Sequence, residues 1–125
     1  MTELSAGTTF TASRTYTEAM VEAWLALSQD AGRHHVERNA NGQLVVHGLL
    51  VASLATEIGG RMSYLARELD FEFSKPVFTG DTITCTVRID EVVPEERRTR
   101  LRLSGEAVNQ AGVIVMRVRS SGIVR

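Results

Sequence analysis

The sequence predicts an α+β domain in which a curved antiparallel sheet wraps one long helix. Two observations carry that expectation. The segment from Val46 to about Gly60 is apolar around most of a helical circumference, and a helix of that kind is buried. The second half of the chain alternates at strand period, with Ile83, Cys85, Val87 and Ile89 set against Thr82, Thr84, Thr86 and Arg88. A buried helix in a chain this short must be wrapped by something, and strand pattern is what remains.

Residues 1–9 are small and polar and are expected to fray or pack lightly. Phe10 to Tyr16 alternates weakly and is rich in Thr, which suits a first strand. Thr17 before Glu18 can cap a short helix, along which Met20, Val21, Trp24, Leu25 and Leu27 recur at helical spacing. That helix ends at Ser28-Gln29 and delivers Asp30 to a loop. Asn39-Ala40-Asn41-Gly42 reads as a turn. In the long helix Leu49, Leu50, Ser53, Leu54 and Ile58 lie on related faces, Val51 and Ala55 broaden the apolar surface, and Gly59-Gly60 is expected to end it. Leu69, Phe71 and Phe73 alternate until Pro76 breaks the run. Gly80-Asp81 is a turn in which the carboxylate serves local N–H groups. Leu101 and Leu103 alternate with Arg100 and Arg102 towards Val108, and Val113 to Val118 is a further strand that Ile123-Val124 finishes. Pro94 to Arg98 and Asn109 to Gly112 are hairpin turns. No repeat or linker interrupts the pattern, so 1–125 reads as a single domain.

A chain of 125 residues can bury its own core. Its hydrophobic content of 43% and charged content of 23% are those of a soluble globular protein. No apolar run is long enough to span a bilayer, no basic segment precedes an apolar one at the N-terminus, and a membrane partner is not expected. The single cysteine, Cys85, excludes an intrachain disulfide and a cysteine metal cluster, and its place in a strand makes it a small core residue. A cytoplasmic protein is the expectation. The formal net charge of −1 argues against nucleic acid as a partner. Arg97, Arg98, Arg100 and Arg102 form the densest basic patch, read as a solvated hairpin with attraction of substrate phosphates or an acidic carrier protein as the alternative.

Chemistry is suggested by the loop. Asp30 precedes His35 by five positions, and the long helix begins soon after. A carboxylate and an imidazole close together can activate water. A helix N-terminus beside them can hold a developing anion. The same loop also reads as an ordinary polar turn, with Asp30 serving backbone N–H groups.

The order of segments resembles a known family. Ser28-Gln29-Asp30 leads to His35, then Val45-Val46-His47-Gly48-Leu49-Leu50-Val51-Ala52-Ser53-Leu54, then Phe73-Ser74-Lys75-Pro76-Val77-Phe78-Thr79-Gly80-Asp81-Thr82-Ile83. This is similar to the MaoC-like hot-dog family of (R)-specific enoyl-CoA hydratases and 3-hydroxyacyl dehydratases, over most of the chain from about Phe10. The family loop carries Asn-Pro where this chain has Gly32-Arg33. His34 adds a second imidazole, and the 36–45 stretch is shorter than usual.

The resemblance implies a hot-dog fold and hydration of an acyl-CoA or acyl-carrier-protein thioester. It implies Asp30 and His35 as the catalytic pair, with His34 the competing imidazole. It places His47, Gly48, Leu49 and Ser53, together with His34, against the substrate, and the rise of the long helix is expected to carry the acyl chain past Ser53 towards Ile58 and Tyr64. The N–H of Gly48 would face the thioester oxygen, with close packing of Gly48 and a cap role for His47 as the plainer readings. Ser53 would hydrogen-bond a water or Asp30, or bond back to its own helix. Glu57, the helix carboxylate that a hot-dog thioesterase would use, reads as a solvated or interface residue. No metal or cofactor is expected. A homodimer or higher homo-oligomer is, because a lone unit leaves a sheet edge open. Thioester hydrolysis and silent acyl-CoA binding are the alternatives.

Overall fold

The structure, a computed structural model, describes residues 4–125. Its elements in chain order are β1 (Thr9–Thr15), α1 (Glu18–Ser28), α2 (Arg33–Val36), α3 (Gly48–Arg61), β2 (Leu65–Phe73), β3 (Thr82–Pro94), β4 (Thr99–Val108) and β5 (Ile114–Val124). The strands form one antiparallel sheet in the order β1-β3-β4-β5-β2, so β1 and β2 are its edges. This is the expected arrangement of one sheet around one long helix.

The strand alternation sorts side chains as predicted. Ile83, Cys85, Val87 and Ile89 of β3 and Leu101, Leu103 and Ala107 of β4 are buried, together with Leu50, Val51, Leu54 and Ile58 of α3. Full burial of a large aliphatic side chain stabilises by about 1.5–3 kcal/mol, so this helix–sheet contact holds the domain together. Tyr16, just past β1, is wholly buried and donates its hydroxyl to the Leu50 carbonyl at 3.4 Å. Burial pushes its phenol up to about 12 and the Cys85 thiol up to about 11. Both hairpin turns form: Glu95 N–H bonds the Arg98 carbonyl, and Gly112 N–H bonds the Asn109 carbonyl. Asp81 serves its turn as expected, accepting from Phe78 N–H at 2.9 Å.

Several expectations are corrected. The long helix starts at Gly48, because the Val46 N–H is taken by the Val77 carbonyl at 2.7 Å. It runs through Gly59-Gly60 to Arg61 instead of stopping there. Gly59 is buried, and a Cβ on it would lie 3.4 Å from the Tyr64 ring; the glycine provides close approach, not a stop. The turn-back falls to Ser63, at φ 54. Nor is α3 buried all round, since Leu49 is 62% exposed and Glu57 faces a cationic pair. α1 buries only Val21, and Leu27 is exposed. The last strand begins at Ile114 and continues unbroken to Val124. Of the N-terminal segment, Met1–Glu3 lie outside the described residues; Leu4 packs against the core, and Gly7 N–H bonds the Ile89 carbonyl at 2.8 Å.

Candidate active site

Asp30 is placed by the end of α1. Thr17 caps the helix start, accepting from Met20 N–H at 3.3 Å. At the other end Gln29 turns into the left-handed region at φ 63, with its N–H on the Leu25 carbonyl and its side-chain amide on the Ala26 carbonyl, both at 2.8 Å. That reversal carries Asp30 off the helix axis. Asp30 N–H then bonds Ser28 Oγ at 3.2 Å, and Asp30 Oδ1 accepts from Gly32 N–H at 3.1 Å. The loop after it is not irregular throughout. It closes into the single turn α2, which carries both His34 and His35.

Of the two imidazoles, His35 points inward, 6% exposed, while His34 is exposed. His35 Nδ1 lies 2.6 Å from the Val45 carbonyl. A carbonyl only accepts, so Nδ1 carries the proton, and in the neutral ring Nε2 presents a lone pair. That Nε2 lies 3.7 Å from Asp30 Oδ2, the carboxylate oxygen that no backbone N–H holds.

His47 lies behind this pair. It is 2% exposed and stacks on His35, with centroids 3.7 Å apart and planes 16° from parallel. Its Nε2 donates to the Asp30 carbonyl at 2.8 Å. Although it occupies the N-cap position of α3, its side chain makes no cap bond, which corrects that expectation. Among the described residues its Nδ1 is buried without a hydrogen-bond partner, a condition that costs about 1–3 kcal/mol.

Asp30, His35 and His47 bring ligand atoms within 4.8 Å of one another, a cluster the sequence did not reveal. The cluster is poorly shaped for a metal. An ion must lie in the plane of each imidazole that binds it, and two near-parallel stacked rings cannot share one.

Beside the pair lies a cavity of about 300 Å³, lined among others by His34, His35, Gly48, Val51, Phe73 and Lys75. Gly48 is at its wall under Phe73, whose ring lies 3.3 Å from where a Cβ would be. The N–H groups of Gly48 and Leu49 fall in the first turn of α3, where no intrahelical acceptor exists. Leu49 itself turns outward, and Ser53 does not reach Asp30: its hydroxyl donates to the Leu50 carbonyl at 2.5 Å, back into its own helix. Tyr64 lies elsewhere, on an apolar cavity of about 80 Å³ with Ala55, Thr56, Gly59 and Leu69. Its hydroxyl bonds Ser120 Oγ at 2.8 Å. Phe73 and Lys75 were not singled out in sequence. Their motif was visible, but only the sheet register brings that segment against the start of α3.

Glu57 sits at the far end of α3, ion-paired to Arg14 and, at 2.8 Å, to Arg61. The basic hairpin is likewise paired in part, with Arg98 on Glu95 at 2.8 Å and Arg102 on Glu91 at 2.9 Å.

No family model matches the sequence. The chain is 29% identical to an (R)-specific enoyl-CoA hydratase of Aeromonas caviae, with 85% of this chain and 89% of that one aligned. It is 27% identical to the (R)-specific enoyl-CoA hydratase of Rhodospirillum rubrum over 91% of this chain and 88% of that one. Among solved structures, the unliganded (R)-hydratase of Pseudomonas aeruginosa superposes with a TM-score of 0.87 at 20% identity, covering 98% of this chain and 83% of that one. The Aeromonas caviae (R)-hydratase superposes at 0.84 and 23% identity over 100% of both chains. These neighbours have the hot-dog fold, as does this chain.

Proposed function

We propose that the chain is a member of the MaoC-like hot-dog family and that it reversibly adds water to a trans-2-enoyl-CoA, or the matching carrier-protein thioester, to give the (R)-3-hydroxyacyl thioester. The observation that carries this reading is the 3.7 Å separation of Asp30 Oδ2 and His35 Nε2 beside a cavity that reaches the start of α3.

Two acceptors at that separation suit one shared water. The water donates one hydrogen to the His35 Nε2 lone pair and the other to the carboxylate. Its own lone pair is then left to face the substrate. As the oxygen attacks the β-carbon, Asp30 takes the proton. The same proton is returned to the α-carbon on the same face, which regenerates the carboxylate and completes the addition. Charge develops meanwhile on the thioester oxygen. The unpartnered N–H groups at the start of α3 stabilise it, and donors of this kind supply about 3–4 kcal/mol.

The acyl chain runs along α3. Gly48 and Val51 line the first cavity, and Ala55, Thr56 and Gly59, on the following turns, line the second, which Tyr64 closes. Hydrolysis of the thioester draws no support from Glu57, which two guanidinium groups hold.

The test is to supply purified protein with crotonyl-CoA and follow enoyl absorbance and free thiol separately. Loss of absorbance with formation of (R)-3-hydroxybutyryl-CoA and no thiol is expected. Thiol release would replace the reading with hydrolysis. Binding without either change, across enoyl chain lengths, would replace it with a silent binding module.

A further inference from the structure

We infer that His47 is a positioning residue that fixes the spacing of Asp30 and His35 by gripping both from behind. The inference rests on the hydratase reading of that pair. His47 holds Asp30 by its main chain, through the 2.8 Å bond from Nε2–H to the Asp30 carbonyl. It holds His35 by its face, through the stacked contact at 3.7 Å. Two groups on different elements, a helix-end loop and a single-turn helix, are thereby referred to one rigid ring at the start of α3.

Other roles for this ring fit less well. His47 does not line the cavity and is almost wholly buried, so it does not touch substrate. It makes no cap bond. As filler, an apolar ring would serve better, since His47 Nδ1 is buried and unpartnered. What an apolar ring lacks is the donor aimed at Asp30. The carboxylate needs that grip. Asp30 is 56% exposed at its side chain, and Gly32 N–H holds only Oδ1, not the Oδ2 that lies 3.7 Å from His35 Nε2. Among the described residues, no other hydrogen bond reaches the Asp30 carbonyl.

The experiment uses two substitutions and one spectrum. His47→Phe keeps the ring and loses the donor. His47→Gln loses the ring and returns an amide N–H near the position of Nε2. With crotonyl-CoA, His47→Phe is expected to lower kcat by about 10–100-fold, as displacement of a reacting group by about an ångström does, with KM changed little. His47→Gln should recover part of the loss, since it returns the donor to the Asp30 carbonyl but not the ring that stacks on His35. In an Asp30→Asn background, His47→Phe should add little, since its effect passes through Asp30.

An unchanged kcat, a loss confined to KM, or full additivity with Asp30→Asn would overturn the proposal. A loss of active protein alone, seen as fewer active sites with kcat per site unchanged, would overturn it as well. The spectrum decides independently of folding of the variants. A long-range ¹H–¹⁵N correlation of the wild-type protein should show His47 protonated at Nε2 and His35 at Nδ1, and the opposite tautomer for His47 would refute the grip. If the wild-type protein turns over no enoyl thioester, the hydratase reading fails by itself, and the spectrum still judges the contact.

Discussion

At the scale of residues, the site separates two neighbouring imidazoles that sequence alone could not rank by contact. His35 is turned inward to the Val45 carbonyl and faces Asp30; His34 is exposed on the cavity rim with its ring 3.9 Å from that of His35. On the proposed reading Asp30→Asn keeps shape and removes the base, so kcat should fall by about 10²–10⁴-fold with the thermal midpoint nearly unchanged. His35→Ala should be comparably damaging and His34→Ala much less so, all measured as initial rates of crotonyl-CoA hydration. A dead His34 variant beside an active His35 variant would reverse the assignment. That Asp30 shares one short loop with an imidazole was legible in sequence; which of His34 and His35 faces it was decided by the fold. The contribution of His47 was not legible, because its partners stand 17 and 12 positions away, and only folding stacks its ring on His35.

At the scale of elements, α3 does two jobs on two ends. Its start lies beside the Asp30–His35 pair, and its end packs against Tyr64, whose hydroxyl is tied to Ser120 on β5. Removing the Tyr64 ring should open the 80 Å³ cavity. Tyr64→Ala should therefore shift preference towards longer enoyl thioesters, with kcat on the four-carbon substrate little changed. An identical chain-length profile would move the specificity wall to the 36–45 segment. The same corner depends on Gly122 of β5, where a Cβ would overlap the Leu65 carbonyl and come within 2.7 Å of the Tyr64 ring. Gly122→Ala should destabilise by about 1–3 kcal/mol, read from the urea midpoint, because overpacking here moves backbone and not only a side chain.

At the scale of the whole molecule, the two edges of the sheet differ. β1 presents Thr and Ser pairs across to β3, as in Thr15 Oγ1 to Thr82 Oγ1 at 2.7 Å. β2 leaves Leu65, Leu69 and Phe73 exposed beside an open ladder edge. An apolar open edge favours pairing with a second copy, so light scattering at micromolar concentration should give at least a dimer, and a stable, fully active monomer would refute this. No helix among the described residues is long and apolar enough to cross a membrane. The core also sets an alkaline limit. Burial raises the Cys85 thiol from 9.0 to about 11 and the Tyr16 phenol from 10.0 to about 12. Both groups ionise earlier in the unfolded chain. Their contribution is therefore whole below the unfolded values and is lost as pH rises towards the folded ones. Stability by denaturant titration should decline from about pH 9 upward, and the Cys85→Ser and Tyr16→Phe variants should each show a shallower decline.

The sequence by itself determined the fold class, the inward and outward faces of the central strands, both hairpin turns and the cap at Thr17. Each of these is set by local period, turn chemistry or short spacing, which act over a few residues. Only the tertiary structure decided the rest. That Gly59 serves close packing, and that α3 therefore runs on to Arg61, depends on the Tyr64 ring. The outward turn of Leu49 and the exposure of β2 depend on which element lies at the edge of the sheet. The stacking of His47 on His35 depends on α2 and the start of α3 being closed onto each other, which the Val45 N–H to His34 carbonyl bond at 3.0 Å accomplishes. Apart from the Gly59–Tyr64 contact, which spans five positions, these outcomes follow from contacts between segments farther apart in sequence, and no local pattern encodes such a contact.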